Sequence, residues 1–146
     1  MKSHPRALLL IATLSCLPLA AACGGGGRAL MPVSSSATLA GIARVKLQQV
    51  DGGDLTLAVS NDSQWPILIE RHAIYLVDSH GQRRRLPGGS EPRTSVAPGG
   101  TQQVRVSFEI DDLNDGNHVQ VILADALTVN GKRLAMPALR LRVPPE

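Results

Sequence analysis

Much of the chain alternates apolar and polar residues with a period of two. The four clearest runs place apolar side chains at Leu55, Leu57 and Val59; at Val104, Val106, Phe108 and Ile110; at Val119, Val121 and Leu123; and at Leu139, Leu141 and Val143. This period is typical of a β-strand with one buried face. A slip of one residue would carry Arg105, Arg140 or Arg142 into the core, so we expect a well-specified register.

Glycine and asparagine separate these runs at the spacing of hairpins. Asp51-Gly52-Gly53 joins a predicted strand at 42–50 to one at 54–61. Asn130-Gly131 is a strong type I′ turn signal, because both central residues of that turn need a positive φ. It pairs a predicted strand at 118–129 with one at 132–143.

The remaining turns complete an all-β pattern. Ser79 to Gln82 closes a hairpin after a predicted strand at 67–77, Pro98-Gly99-Gly100 precedes another strand, and residues 111–117 form a polar loop. No stretch shows helical periodicity with caps. The pattern predicts a single antiparallel β-sandwich of about seven strands over residues 38–146.

The first residues follow a different pattern. Lys2 and Arg6 precede an apolar run at 7–22, which ends in small residues directly before Cys23. This arrangement is typical of an export signal, predicted here over 1–22. The run is shorter than the roughly 20 residues of a membrane span. Ordinary cleavage after Ala22 is an alternative, and it would leave Cys23 as an unpaired exported thiol.

Small residues followed by a cysteine resemble the lipobox of bacterial lipoproteins. The resemblance implies that Cys23 becomes a lipidated N-terminus, although Ala20 stands where the family prefers leucine. Gly24 in place of aspartate implies the periplasmic face of the outer membrane as the destination. Residues 23–37 are then the lipidated cysteine and a Gly/Ser-rich tether, which we expect to be flexible. Cys16 is a weaker candidate, because apolar residues follow it.

Several turn motifs resemble the immunoglobulin-like, telokin-like domains of exported bacterial lipoproteins. They are Asn61-Asp62-Ser63, Asp78 with Gly81, and Pro98-Gly99 before a strand that reaches Phe108. The resemblance covers about residues 44–108. It implies a fold of this kind and a binding or scaffolding role, without the cysteine pair of antibody domains.

Charge and composition add few chemical signals. The chain has 15 Lys plus Arg and 12 Asp plus Glu, and removal of Lys2 and Arg6 with the signal leaves a net charge of +1. This gives no general case for nucleic-acid binding. The sequence has no nucleophile-elbow motif and no phosphate loop, so we expect neither an enzyme nor a cofactor.

Two surface features are candidates for partner or membrane contact. Arg83, Arg84 and Arg85 follow a hairpin tip and could face anionic lipid or an acidic partner. The alternative, which we favour, is an edge strand whose positive charge blocks edge-to-edge pairing. Trp65 stands in a loop before Pro66. It is either an exposed anchor or, as the sequence favours, an apolar plug at the end of the sandwich.

Metal binding is the weaker functional hypothesis. Glu70 and His72 are two apart on a predicted strand and share a face, with Asp78 and His80 nearby, but no mature cysteine beyond the anchor is available. The loop 111–117 lacks the donor spacing of an EF-hand. We therefore expect a lipid-anchored, non-catalytic accessory module that binds an envelope protein. The alternative is a periplasmic lipoprotein that binds a small ligand or a metal.

Overall fold

The computed structural model describes residues 29–85 and 93–145. Within these ranges the regular structure is β-strand, apart from one 3₁₀ turn at Arg71–Ala73. The strands are β1 Met31–Pro32, β2 Ser36–Leu39, β3 Ala43–Asp51, β4 Asp54–Asn61, β5 Ile67–Ile69, β6 Tyr75–Val77, β7 Arg83–Arg85, β8 Thr94–Val96, β9 Thr101–Ser107, β10 His118–Ile122, β11 Leu127–Val129, β12 Lys132–Arg133 and β13 Leu139–Arg142. The described strand pairs are antiparallel. The predicted all-β antiparallel fold class is confirmed.

One layer is the continuous sheet β2-β3-β4-β9. The predicted hairpin between β3 and β4 is present, with Asp51 opposite Asp54 across the turn Gly52-Gly53. Gly53 is packed against the chain beyond β9. The Phe108 N–H donates to the Gly53 carbonyl at 3.0 Å, and a Cβ on Gly53 would collide with the Phe108 carbonyl.

The second layer is a sheet that bends across a line of breaks. Its two halves have matching strand orders, β13-β10-β6-β7 and β12-β11-β5-β8, and β1 pairs outside β13. The prediction of unbroken strands at 67–77, 118–129 and 132–143 is therefore wrong, because each run contributes one strand to each half. Three broken strands, together with β7 and β8, thus form the layer opposite the four strands of the continuous sheet.

Each break has a local cause. The 3₁₀ turn separates β5 from β6, and the Ala126 N–H donates to the Leu123 carbonyl in the turn between β10 and β11. Between β12 and β13, the Met136 N–H donates to the Leu134 carbonyl, and Pro137 follows. Proline has no N–H to offer a strand ladder.

Both layers contribute to one hydrophobic core. Every apolar position named above in the period-two pattern is at most 5% exposed, so the predicted buried faces are confirmed. Burial of a Val, Leu, Ile or Phe side chain contributes about 1.5–3 kcal/mol to stability. The Asn130-Gly131 hairpin is also confirmed, with φ of 49° and 73°.

The folded domain begins before residue 38. Leu30 is 2% exposed, and its N–H donates to the Gly52 carbonyl at 3.2 Å. Met31 pairs with Arg142 of β13, and β2 pairs with β3. The predicted tether over 23–37 is therefore too long, because backbone hydrogen bonds and a buried leucine bring residues 30–37 into the fold.

Candidate functional site

The domain has two ends of different composition. We call the end with the Gly52-Gly53 turn, where the chain enters at Leu30, the proximal end. The distal end carries the loop 61–66, the Pro98-Gly99 turn and the Asn130-Gly131 turn. The eight residues of β4 separate the two ends by about 27 Å at about 3.4 Å per residue.

Trp65 projects from the distal end and is 56% exposed. The interpretation of Trp65 as a plug for the end of the sandwich is wrong. Ile67 and Val96 are both fully buried at this end and pair with each other between β5 and β8. These aliphatic side chains close the core, so the indole is not needed there.

A buried asparagine holds the loop that carries Trp65. The Asn61 side chain is 1% exposed, and its Nδ2 donates to the carbonyls of Trp65 at 2.7 Å and Val96 at 2.9 Å. Its Oδ1 accepts from the N–H and the hydroxyl of Ser63, at 2.9 and 2.7 Å. A short amide that bonds its own backbone two residues on is a turn-forming device.

The main chain of Asn61 ties this loop to the neighbouring turn. The Asn61 N–H donates to the Gly100 carbonyl, and the Gly99 N–H donates to the Asn61 carbonyl. On the other side, Asp62 accepts from the Arg44 guanidinium at 2.7 and 3.0 Å, which lowers the pKa of Asp62. The exposed indole therefore stands on a loop that is braced from three directions.

The arginine strand is at an edge, as the sequence predicts. β7 is the last strand of its half-sheet and pairs with β6 alone among the described strands. Its three arginines differ in environment, since the Arg84 side chain is only 18% exposed whereas Arg83 and Arg85 are exposed. Arg83 lies over the Tyr75 ring, 5.0 Å from its centroid.

Arg84 belongs to an ionic network and not to the exposed surface. Its guanidinium binds both carboxylate oxygens of Asp112, at 2.5 and 2.9 Å, and lies 3.6 Å from Asp78. The hydrogen bond to Asp112 is the main cause that raises the pKa of Arg84 and lowers that of Asp112. Arg84 thereby fastens β7 to the loop after β9.

Residues 29–85 and 93–145 do not bring together the ligands that the metal hypothesis requires. His72 lies in the 3₁₀ turn rather than on a strand, 3.9 Å from Glu70. Asp78 closes its hairpin by accepting from the N–H groups of His80 and Gln82, both at 2.9 Å. Among residues 29–85 and 93–145, no three His, Cys, Asp or Glu side chains are grouped so that they could hold a metal ion.

The anchor lies outside the described residues. Cys23 and the predicted signal at 1–22 precede residue 29, where the description begins. In the part of the chain that is described, no helix is both long and apolar enough to cross a bilayer.

Sequence reasoning missed two residues that shape these surfaces. The sequence places Asn61 in a turn motif but does not reveal that its side chain holds the loop. The serine two positions later is the local feature that could have indicated these side-chain hydrogen bonds. Tyr75 gave no signal, because its contact with Arg83 depends on how β6 and β7 pair.

Comparison with known proteins bears on the fold alone. No protein-family model matches the chain, and a search of curated proteins finds no match. A solved structure from Bacillus subtilis, described as a "putative lipoprotein (ycdA)", is similar with a TM-score of 0.57 and 13% sequence identity. The match covers 75% of this chain and 39% of that one, so this chain corresponds to less than half of that protein. The telokin-like resemblance stays a prediction.

Proposed function

We propose that this protein is a lipid-anchored, non-catalytic accessory of the bacterial envelope that binds a protein partner through Trp65. The main observation in support of this proposal is the exposed indole of Trp65 on a braced loop at the distal end. Tryptophan is enriched among the residues that dominate binding energy at interfaces. Because the loop is already held, binding would cost little conformational entropy.

The partner surface implied by this geometry is specific. Trp65 and Pro66 are exposed beside turns of small residues, so the partner needs an apolar recess for the indole and a shallow rim around it. A Trp side chain combines a large apolar area with one N–H donor, which suits an apolar recess with a hydrogen-bond acceptor at its rim.

Anchoring follows from the sequence before the domain. Lipid at Cys23 would place the proximal end near the periplasmic face of the outer membrane. The proximal end carries exposed aspartates at 51, 54 and 111, which repel anionic headgroups. Trp65, at the other end, would therefore point away from the lipid toward a protein.

Two variants test the two parts of the proposal in the producing bacterium. After crosslinking and purification of the full chain, Trp65→Ala should reduce the copurified partner by at least about tenfold, as expected for a residue that contributes more than about 1.4 kcal/mol. Gln64→Ala, at the exposed neighbouring position, should leave the yield unchanged. Cys23→Ser should move the chain out of the membrane fraction.

Two results would contradict the proposal. Equal partner recovery with Trp65→Ala would refute the binding role of the indole. A Cys23→Ser chain that remains in the membrane fraction would refute the lipid anchor.

A further inference from the structure

A recess lies on the outer surface of the second layer, where the breaks in the bent sheet line up. Its volume is about 230 Å³. Residues from all three breaks or their flanks line it, including His72 of the 3₁₀ turn, Asp125 between β10 and β11, and Arg133 of β12. The rest of the wall is formed by Glu70, Ala73, Tyr75, Arg83 and Arg85. Irregularities in sheets often re-aim side chains toward such sites.

The carboxylates of this recess already have cationic partners. Glu70 Oε1 lies 2.8 Å from Nε of Arg93, and Glu70 Oε2 lies 3.9 Å from Nε2 of His72. Asp125 accepts from Arg133 at 3.3 Å. Arg93 and Arg133 therefore already balance the negative charge of the recess.

Two arginines remain as surplus positive charge. Within the described ranges, neither Arg83 nor Arg85 has a carboxylate within 4.0 Å. Arg83 is held over the face of Tyr75, and Arg85 lies directly opposite Tyr75 across the β6–β7 pair. Edge protection accounts for charge on β7, but it does not account for a recess beside these two guanidinium groups.

We propose that this recess binds the phosphoryl group of a ligand. Guanidinium forks match the geometry of phosphate oxygens and bind them bidentately. A phosphate monoester carries about −1.5 to −2 charges at pH 7 and three acceptor oxygens, and a phosphodiester carries a single negative charge. Arg83 and Arg85 supply the compensating charge, and the Tyr75 hydroxyl supplies a further donor.

The single tyrosine and the single tryptophan of the chain allow a direct test. The full chain is labelled with ¹³C on its tyrosine and tryptophan rings and titrated with inorganic phosphate. The Tyr75 signals should shift with a saturable curve, whereas the Trp65 signals at the distal end should not move. The double variant Arg83→Gln with Arg85→Gln should weaken phosphate binding by at least about tenfold, the loss expected for charged hydrogen bonds.

The matched control removes the same charge elsewhere on the same sheet. Arg140 and Arg142 are exposed on β13, and the double variant Arg140→Gln with Arg142→Gln should bind phosphate as the parent does. Equal weakening by both double variants would overturn the proposal, because it would indicate a general charge effect. A linear, non-saturating shift of Tyr75 would also overturn it.

A second arm identifies the source of the phosphoryl group. Vesicles of phosphatidylglycerol are compared with vesicles of phosphatidylcholine, with and without inorganic phosphate as competitor. Phosphatidylglycerol binding that depends on Arg83 and Arg85 and is displaced by phosphate would assign a lipid headgroup. Saturable phosphate binding without vesicle binding would assign a soluble phosphorylated ligand. Neither result changes the recovery of the protein partner that depends on Trp65. The failure of one proposal therefore leaves the other untouched.

Discussion

At the scale of single residues, one buried amide organises the distal end. Asn61 joins its own loop to a segment that lies 35 or more residues further along the chain, namely the end of β8 at Val96 and the turn that follows it. Such a group is worth more than one hydrogen bond, because its removal takes a donor from the buried Val96 carbonyl and an acceptor from the Ser63 N–H. The orientation of Trp65 depends on it.

We expect Asn61→Ala to lower the free energy of unfolding by about 2–3 kcal/mol. Gln64→Ala, in the same loop but exposed, should change it by no more than about 0.5 kcal/mol. Urea unfolding of both variants measures the difference. If the two variants were equally stable, Asn61 would not be the brace of this loop.

Asp78 gives the protein an acid-sensitive hairpin. The N–H of Gln82 lowers the pKa of Asp78 most, followed by the N–H of His80 and the charge of Arg84. A carboxyl whose pKa is lower in the folded state stabilises fully above its unfolded value, about 3.9, and this stabilisation is lost as the pH falls through the folded value.

Asp78→Asn should therefore destabilise the protein at pH 7, and its deficit relative to the parent should shrink as the pH falls below about 4. Urea midpoints of both proteins between pH 7 and pH 2.5 measure this convergence. A deficit that is the same at every pH would show that the charge of Asp78 does not contribute.

At the scale of elements, local patterns predict strand faces and turns but not where strands bend. The alternation at Val119, Val121 and Leu123 specifies which side chains are buried, and Asn130-Gly131 specifies its turn. The bend arises because three neighbouring strands break at the same level, which is a property of their pairing. Within the run 132–143, Pro137 is the local feature that indicates a break in the strand.

Burial of Leu30 is a second case of this kind. Leu30 stands between Ala29 and Met31 without a period-two pattern, and its place in the core depends on the distant Gly52 turn. The tether predicted over residues 23–37 therefore includes residues that belong to the folded domain.

The β3–β4 hairpin offers a test of element packing. Gly53→Ala should lower the free energy of unfolding by about 1–3 kcal/mol or more, because the new methyl group collides with the Phe108 backbone. Gly41→Ala meets open space, so its cost is confined to the backbone strain of an alanine at φ of +73°, about 1–2 kcal/mol. Thermal unfolding should rank Gly53→Ala as the more destabilising change, and the reverse order would contradict the close packing at Gly53.

At the scale of the whole molecule, the two ends have separate roles in the proposed function. Seven residue steps separate Cys23 from Leu30, so an anchored domain would lie within about 25 Å of its lipid. The recess with Arg83 and Arg85 lies on the side of the sandwich, and Trp65 lies at the far end. The recess and the indole thus occupy different surfaces, and each can be tested separately from the proposed anchor.

Site-specific photo-crosslinking in the native envelope tests the central claim most directly. A photoreactive phenylalanine analogue replaces Gln64 beside Trp65 or, in a second chain, Ser79 in the hairpin between β6 and β7; both positions are exposed. The account predicts a discrete protein adduct from position 64 that disappears with Trp65→Ala, and no protein adduct from position 79. A protein adduct from position 79 alone, or one from position 64 that survives Trp65→Ala, would contradict it.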